Sequence, residues 1–173
     1  DRNATSHIAV CALPNGKVLK LGKKAQFTHN KYKGIRKRFQ KRKQFMKLKD
    51  SKRKEANIIR DLNHKISTKI VQAAKSNGIG IKLEQLKGIR KTKKQAKSFR
   101  GTLHSWSFYQ LEQFIEYKAK LLGIPVIYIN PKYTSQRCHK CGVIGNRTKK
   151  KFYCQCGVVE HADVNAAFNI AKA

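Results

Sequence analysis

The stretch that decides the reading of this chain is Cys138-His139-Lys140-Cys141-Gly142, followed by Cys154-Gln155-Cys156-Gly157 and then His161-Ala162-Asp163-Val164-Asn165-Ala166-Ala167. Two close cysteine pairs, each ending in glycine, carry four thiolates at the spacing of a two-knuckle ribbon, and four thiolates at roughly 2.3 Å satisfy a tetrahedral Zn²⁺. Cys138, Cys141, Cys154 and Cys156 are therefore the expected zinc ligands. The one-residue spacer of the second pair keeps His139 and His161 open as substitute ligands. A shell closed by four protein ligands offers no position to a substrate, so the ribbon reads as structural, its metal free energy being folding free energy. The isolated carboxylate of Asp163 follows it directly.

The rest of the composition points to a polyanion. The chain has 173 residues, enough for one domain with a small inserted module. Lys and Arg total 40 against 9 Asp and Glu, a formal charge of +31, although the charged fraction of 28% is ordinary. A charge of that size repels itself unless a polyanion neutralises it, which makes nucleic acid the leading partner and an anionic membrane the second. No apolar run approaches the roughly 18 to 20 residues of a spanning helix, and no signal peptide is visible, so a membrane partner is not expected. Five cysteines, four of them in knuckles, suit metal-bound thiolates in a reducing compartment. Cys11, in the apolar run Ile8 to Leu13, reads as a plain buried thiol. The chain opens on Asp1 without a methionine, as an excised part of a longer protein does.

Taken in order, residues 1–27 read as a β-meander: two strands around Pro14-Asn15-Gly16 and a third short strand up to Phe27. Residues 28–77 contain no proline and carry a helical period through Tyr32, Ile35 and Phe39, then Ile58, Leu62, Ile66 and Ile70. This predicts one long helix, or a helical hairpin broken near Asp50-Ser51. Fourteen Lys or Arg fall between residues 31 and 60, a density suited to phosphate contact. His64, between Leu62 and Ile66, is expected to pack or cap. After a stop at Asn77-Gly78, Ile79 to Glu84 alternates as a strand, which puts Glu84 at its carboxyl end, on the face opposite Ile79, Ile81 and Leu83. Residues 87–101 form a basic loop, a second phosphate-contacting surface. A helix follows from His104 to Leu122, in which Trp106, Phe108 and Tyr109 either pack or stack on unpaired bases. Ile124 to Asn130 reads as a buried parallel strand, and Ala162 to Ala173 as a closing helix.

Three of the nine acids sit where a sheet would bring them together: Asp1 at a first strand, Glu84 at the end of a later one, Asp163 at the start of the last helix. Carboxylates converge when cations offset their repulsion, and two Mg²⁺ ions do so in phosphoryl-transfer sites, oxygen ligands selecting Mg²⁺ or Mn²⁺ over Zn²⁺. Asn165, two residues beyond Asp163, stands where it could orient a metal-bound water or a phosphate. The residues alone leave three chemistries open: phosphodiester hydrolysis, strand transfer at the same acids, and nucleic-acid binding without catalysis.

Four blocks in order carry a resemblance: Asp1-Arg2-Asn3 before a hairpin, Leu83-Glu84-Gln85-Leu86, Tyr133-Thr134-Ser135-Gln136 before the first knuckle, and Asp163-Val164-Asn165-Ala166-Ala167 before Asn169-Ile170. Together they resemble the TnpB (OrfB) proteins of prokaryotic insertion sequences. The resemblance implies an α/β fold of the RNase H-like, RuvC type, a mixed sheet flanked by helices, with a nuclease core over 1–132, a zinc ribbon inserted at 133–160 and a final core helix at 161–173. The basic helical segment 28–77 lies within that core. It implies that Asp1, Glu84 and Asp163 form a catalytic triad holding Mg²⁺ or Mn²⁺ beside a structural Zn²⁺. It also implies a DNA target chosen by a guide RNA in the prokaryotic cytoplasm or nucleoid. In such systems base pairing reads sequence while the protein grips backbones, which suits a chain this basic. The one-residue spacer in the second knuckle, and His161-Ala162 in place of the commoner Asp-Arg, depart from the family pattern.

Overall fold

A computed structural model describes residues 1–3, 6–86 and 108–173. The expected basic loop at 87–101, and Trp106, lie outside the described residues.

Strands β1 (Ala9–Ala12) and β2 (Val18–Leu21) form the expected antiparallel hairpin, Ala9 opposite Leu21. Gly16 takes φ +80° in the turn, which Leu13 N closes on Lys17 O at 2.9 Å. The third short strand does not form. Gly22 (φ +83°) turns the chain, and a Cβ there would come within 2.8 Å of Ile8 and Ile66. The following residues wind into α1 (Lys24–Lys41).

A helical hairpin follows, with its break at Arg42-Lys43-Gln44 (Lys43 φ +52°) rather than near Asp50-Ser51. Ser51 lies inside α2 (Phe45–Ser76), its hydroxyl donating to Leu48 O at 2.7 Å, so that it stays helical while buried. The hairpin closes on one acid. Glu55, buried on α2, accepts from His29 of α1 at 2.7 Å and pairs with Arg36.

Helix α2 buries Ile59, Ile66, Ile70, Val71 and Ala74 at helical spacing against Leu111, Ile115 and Ala119 of α3 (Phe108–Leu121), whose i, i+4 stripe is wholly buried. Each such aliphatic side chain contributes about 1.5–3 kcal/mol of burial. The His64 ring stacks on Phe114 at 3.8 Å, so it packs as expected. Tyr109 is 69% exposed rather than packed into the core.

Beyond Gly78 (φ +62°), β3 (Ile81–Glu84) pairs in parallel with β4 (Val126–Ile129), Ile81 opposite Val126. The burial expected of β4 is incomplete, because its outer side is uncovered at Ile127 (53% exposed), while Tyr128 reaches back to donate to Glu116 of α3 at 2.6 Å. The described strands thus make an antiparallel pair and a parallel pair rather than one continuous sheet. Successive residues of both β1 and β3 line a cavity of about 710 Å³. A third sheet, β5 (Asn146–Thr148), β6 (Lys151–Tyr153) and β7 (Val159–His161), forms the ribbon around fully buried Phe152. Helix α4 (Ala162–Lys172) closes the chain, packing Val164 and Ala167 on Val10 of β1.

Candidate functional site

Both knuckles are built by backbone turns. Gly142 N donates to Cys138 O at 2.9 Å and Gly157 N to Cys154 O at 3.0 Å, with both glycines at positive φ (+76° and +85°), a conformation only glycine takes without strain. These turns aim four sulfurs inward. The Sγ atoms of Cys138, Cys141, Cys154 and Cys156 all lie within 4.8 Å of one another, with Cys138–Cys156 at 3.6 Å and Cys141–Cys154 at 3.4 Å. A tetrahedron with bonds of roughly 2.3 Å has edges of about 3.8 Å, so the four thiols could hold a metal such as zinc. Burial of the Cys138 thiol opposes its ionisation, but the backbone N–H groups of Cys141 and Lys140 outweigh it and bring the group down to about 7. The two histidines left open as substitutes stand elsewhere. His139 Nδ1 faces Asn165 and Glu160, and His161 Nδ1 caps α4 by accepting from Asp163 N at 3.3 Å.

The three acids arrive from three elements. Asp1 pairs with Val10 through two backbone hydrogen bonds of 2.9 Å, and its Oδ2 accepts from Asn3 at 2.8 Å. Ala9 of β1 is bridged to Leu21 on one edge and to Arg2 on the other, which puts this segment on the edge of β1 that faces the cavity. Glu84 ends β3, 8% exposed, with Oε1 accepting from Thr134 at 2.6 Å. Asp163 stands in the first turn of α4 with a side chain 2% exposed, its Oδ2 accepting from Lys150 at 2.6 Å.

Arg2 ties two of these elements together, donating to Glu84 O and pairing with Glu112. Val164, next to Asp163 on α4, packs on Val10, the backbone partner of Asp1, so the third element joins the other two. Among the described residues only the four thiols approach one another at metal-ligand spacing; the three carboxylates stand further apart.

Asn165 has a different use from the one its position suggested. It is fully buried, and both ends of its amide are taken by the first knuckle: Oδ1 accepts from His139 N at 2.9 Å, and Nδ2 donates to Arg137 O at 2.7 Å. Four further residues of the site were not legible as such: Arg2, Thr134, Lys150 and Arg147, the last lying 3.8 Å from Asp163 Oδ1. A basic or hydroxyl residue beside a motif acid was the one available signal, and it singled out none of them in a chain with 40 Lys and Arg.

Residues 108–170 match the family model described as Cas12f1-like, TNB domain. A TnpB-like protein of Aquifex aeolicus is 30% identical over 168 residues, covering 90% of this chain and 54% of its own. Along most of its length the chain is thus similar to TnpB-like proteins. The CRISPR-associated endodeoxyribonuclease Cas12f1 of Sulfoacidibacillus thermotolerans is 45% identical over 123 residues, 68% of this chain and 28% of its own length. A solved Cas12f1-sgRNA-target DNA complex superposes with a TM-score of 0.76 at 25% identity, over 96% of this chain and 47% of that one. The chain therefore spans about half, or less, of the proteins it matches.

Proposed function

We propose that this chain is the nuclease portion of an RNA-guided DNA endonuclease, in which Asp1, Glu84 and Asp163 hold Mg²⁺ or Mn²⁺ for phosphodiester hydrolysis. The geometry that supports this reading is the meeting of the three elements that carry the acids: Arg2, next to Asp1, donates to the Glu84 carbonyl, and Val164, next to Asp163, packs on Val10, the backbone partner of Asp1. Relatives named endodeoxyribonucleases, and a solved complex containing guide and target DNA, support the reaction class and both partners. Bound divalent ions would supply activation of water and stabilisation of the leaving oxygen. The protein's own part is placement: Thr134 fixes Glu84, Asn3 fixes Asp1, and the capped start of α4 fixes Asp163. Among the described residues no helix is long and apolar enough to cross a membrane, which accords with action in the prokaryotic cytoplasm.

An RNase H-like core over 1–132 and 161–173, interrupted by a zinc ribbon at 133–160, accommodates both strand pairs. A strand between the free edges of β1 and β3 would continue the Asp1–Val10 pairing antiparallel to β1 and run parallel to β3, joining the pairs into one mixed sheet. The test is Asp163→Ala in the full-length protein with its guide RNA. Cleavage should be abolished with zinc content unchanged, and retained cleavage would end the proposal.

A second reading, nucleic-acid binding without catalysis, draws on the separation of the carboxylates and the Lys150 contact on Asp163. Millimolar Mg²⁺ that raises the melting temperature of the wild type but not of Glu84→Ala selects the nuclease. No effect in either selects the binding module.

A further inference from the structure

Among the described residues, the side chains that reach the Asp163 carboxylate come from the ribbon's strands and turn. Lys150 sits in the turn between β5 and β6, and its Nζ donates to Asp163 Oδ2 at 2.6 Å. Arg147 on β5 and His161 at the end of β7 stand 3.8 Å from the two oxygens. Lys150 and Arg147 belong to the ribbon, and His161 ends its last strand. The Lys150 side chain is 32% exposed against 2% for Asp163, so the ammonium, on a flexible four-carbon stem, has a route to solvent that the carboxylate lacks. A lysine offers three donors and no acceptor, and of the chemical groups a basic protein of this kind meets, phosphate oxygens compete best for it.

We propose that Lys150 is a displaceable counter-cation of Asp163: it occupies the oxygen a divalent ion needs, and a nucleic-acid backbone draws it away, so that metal loading at Asp163 is coupled to binding of the polyanion. This rests on the acidic-centre reading above and adds its regulation. A carboxylate this buried cannot stand uncompensated, and an ammonium satisfies it without committing it to a metal. The coupling is reciprocal by thermodynamic necessity: whatever factor DNA adds to metal affinity, the metal adds to DNA affinity.

The experiment is titration of Mg²⁺ into the full-length protein by calorimetry, with and without a short single-stranded DNA, for wild type, Lys150→Met, Lys150→Arg and Asp163→Asn. Lys150→Met should bind Mg²⁺ about tenfold more tightly than wild type without DNA, and DNA should then add little. Lys150→Arg, keeping the charge, should restore the weaker affinity and the DNA response. Lys149→Met, one residue away on the same turn, should match wild type. Thermal melts and zinc content establish that each variant is folded. An Asp163-dependent isotherm with equal affinity in wild type and Lys150→Met overturns the counter-cation while leaving the acidic centre standing. An isotherm unchanged by Asp163→Asn, or none in any variant, overturns the centre itself and the coupling with it.

Discussion

Asn165 and His139 lock the final helix to the first cysteine knuckle: the Asn165 Oδ1 accepts the His139 backbone N–H at 2.9 Å, two residues beyond Asp163 on the same helix. The His139 ring then stacks on Phe168 at 4.9 Å, and Lys172 reaches its carbonyl. The ribbon is thereby joined to α4 along its length, and the position of Asp163 depends on the knuckle's shape.

Asn165→Ala removes an amide satisfied at both ends inside a fully buried site, stranding His139 N and weakening the hold on Arg137 O. A loss of about 1–3 kcal/mol is expected from the unsatisfied groups. Chemical denaturation measures it, while zinc content stays at the wild-type level because no thiol is touched.

Removal of zinc should disable Mg²⁺-dependent cleavage without touching an acid. Without a shared cation the four sulfurs take up protons and lose the bonds that gather them, the knuckles open, and His139 no longer holds Asn165. Activity assayed after stripping with a zinc-selective chelator, then after zinc is restored, reads this directly. Cleavage that survives complete stripping refutes the coupling.

The α1–α2 hairpin should bind phosphates through exposed lysines. Lys37, Lys41 and Lys47 are exposed around its tip. Each one that contacts a phosphate contributes about 0.9 to the slope of log K against log salt for duplex DNA. Replacing all three by Ala should flatten that slope by about 2 to 3, uniformly across sequences. An unchanged slope places the phosphate contacts elsewhere on the protein.

Burial pushes the Cys11 thiol above its ordinary value. Above pH 9 the unfolded chain loses this proton while the folded chain keeps it. Folding stability therefore falls as pH rises through 9, and the contribution is complete below it. Cys11→Val should flatten that alkaline decline in denaturant midpoints measured from pH 8 to 10. An identical decline in both proteins would assign it to another group.

Local chemistry was legible and long-range pairing was not. Cys-x-x-Cys-Gly and Cys-x-Cys-Gly specify their knuckles within a few residues, because chelation and the positive-φ glycine are short-range demands. The Pro14-Asn15-Gly16 turn, the stop at Gly78 and the Ile66/Ile70 period held for the same reason. The helix break moved from Asp50-Ser51 to residues 42–44 because Glu55 must meet His29 and Arg36, a constraint spanning 26 and 19 residues. The third strand yielded to a helix because Gly22 lies against Ile66, far along the chain.

The sequence by itself determined the four-cysteine ribbon, the order of the three acids, the helical character of residues 28–77 and the large positive charge, since spacing and composition are properties of the chain before it folds. Only the tertiary structure decided that Asn165 serves the knuckle, that Thr134 holds Glu84 and that Lys150 sits on Asp163. Those three contacts join residues 26, 50 and 13 positions apart, and which donor reaches a buried acceptor is settled by packing.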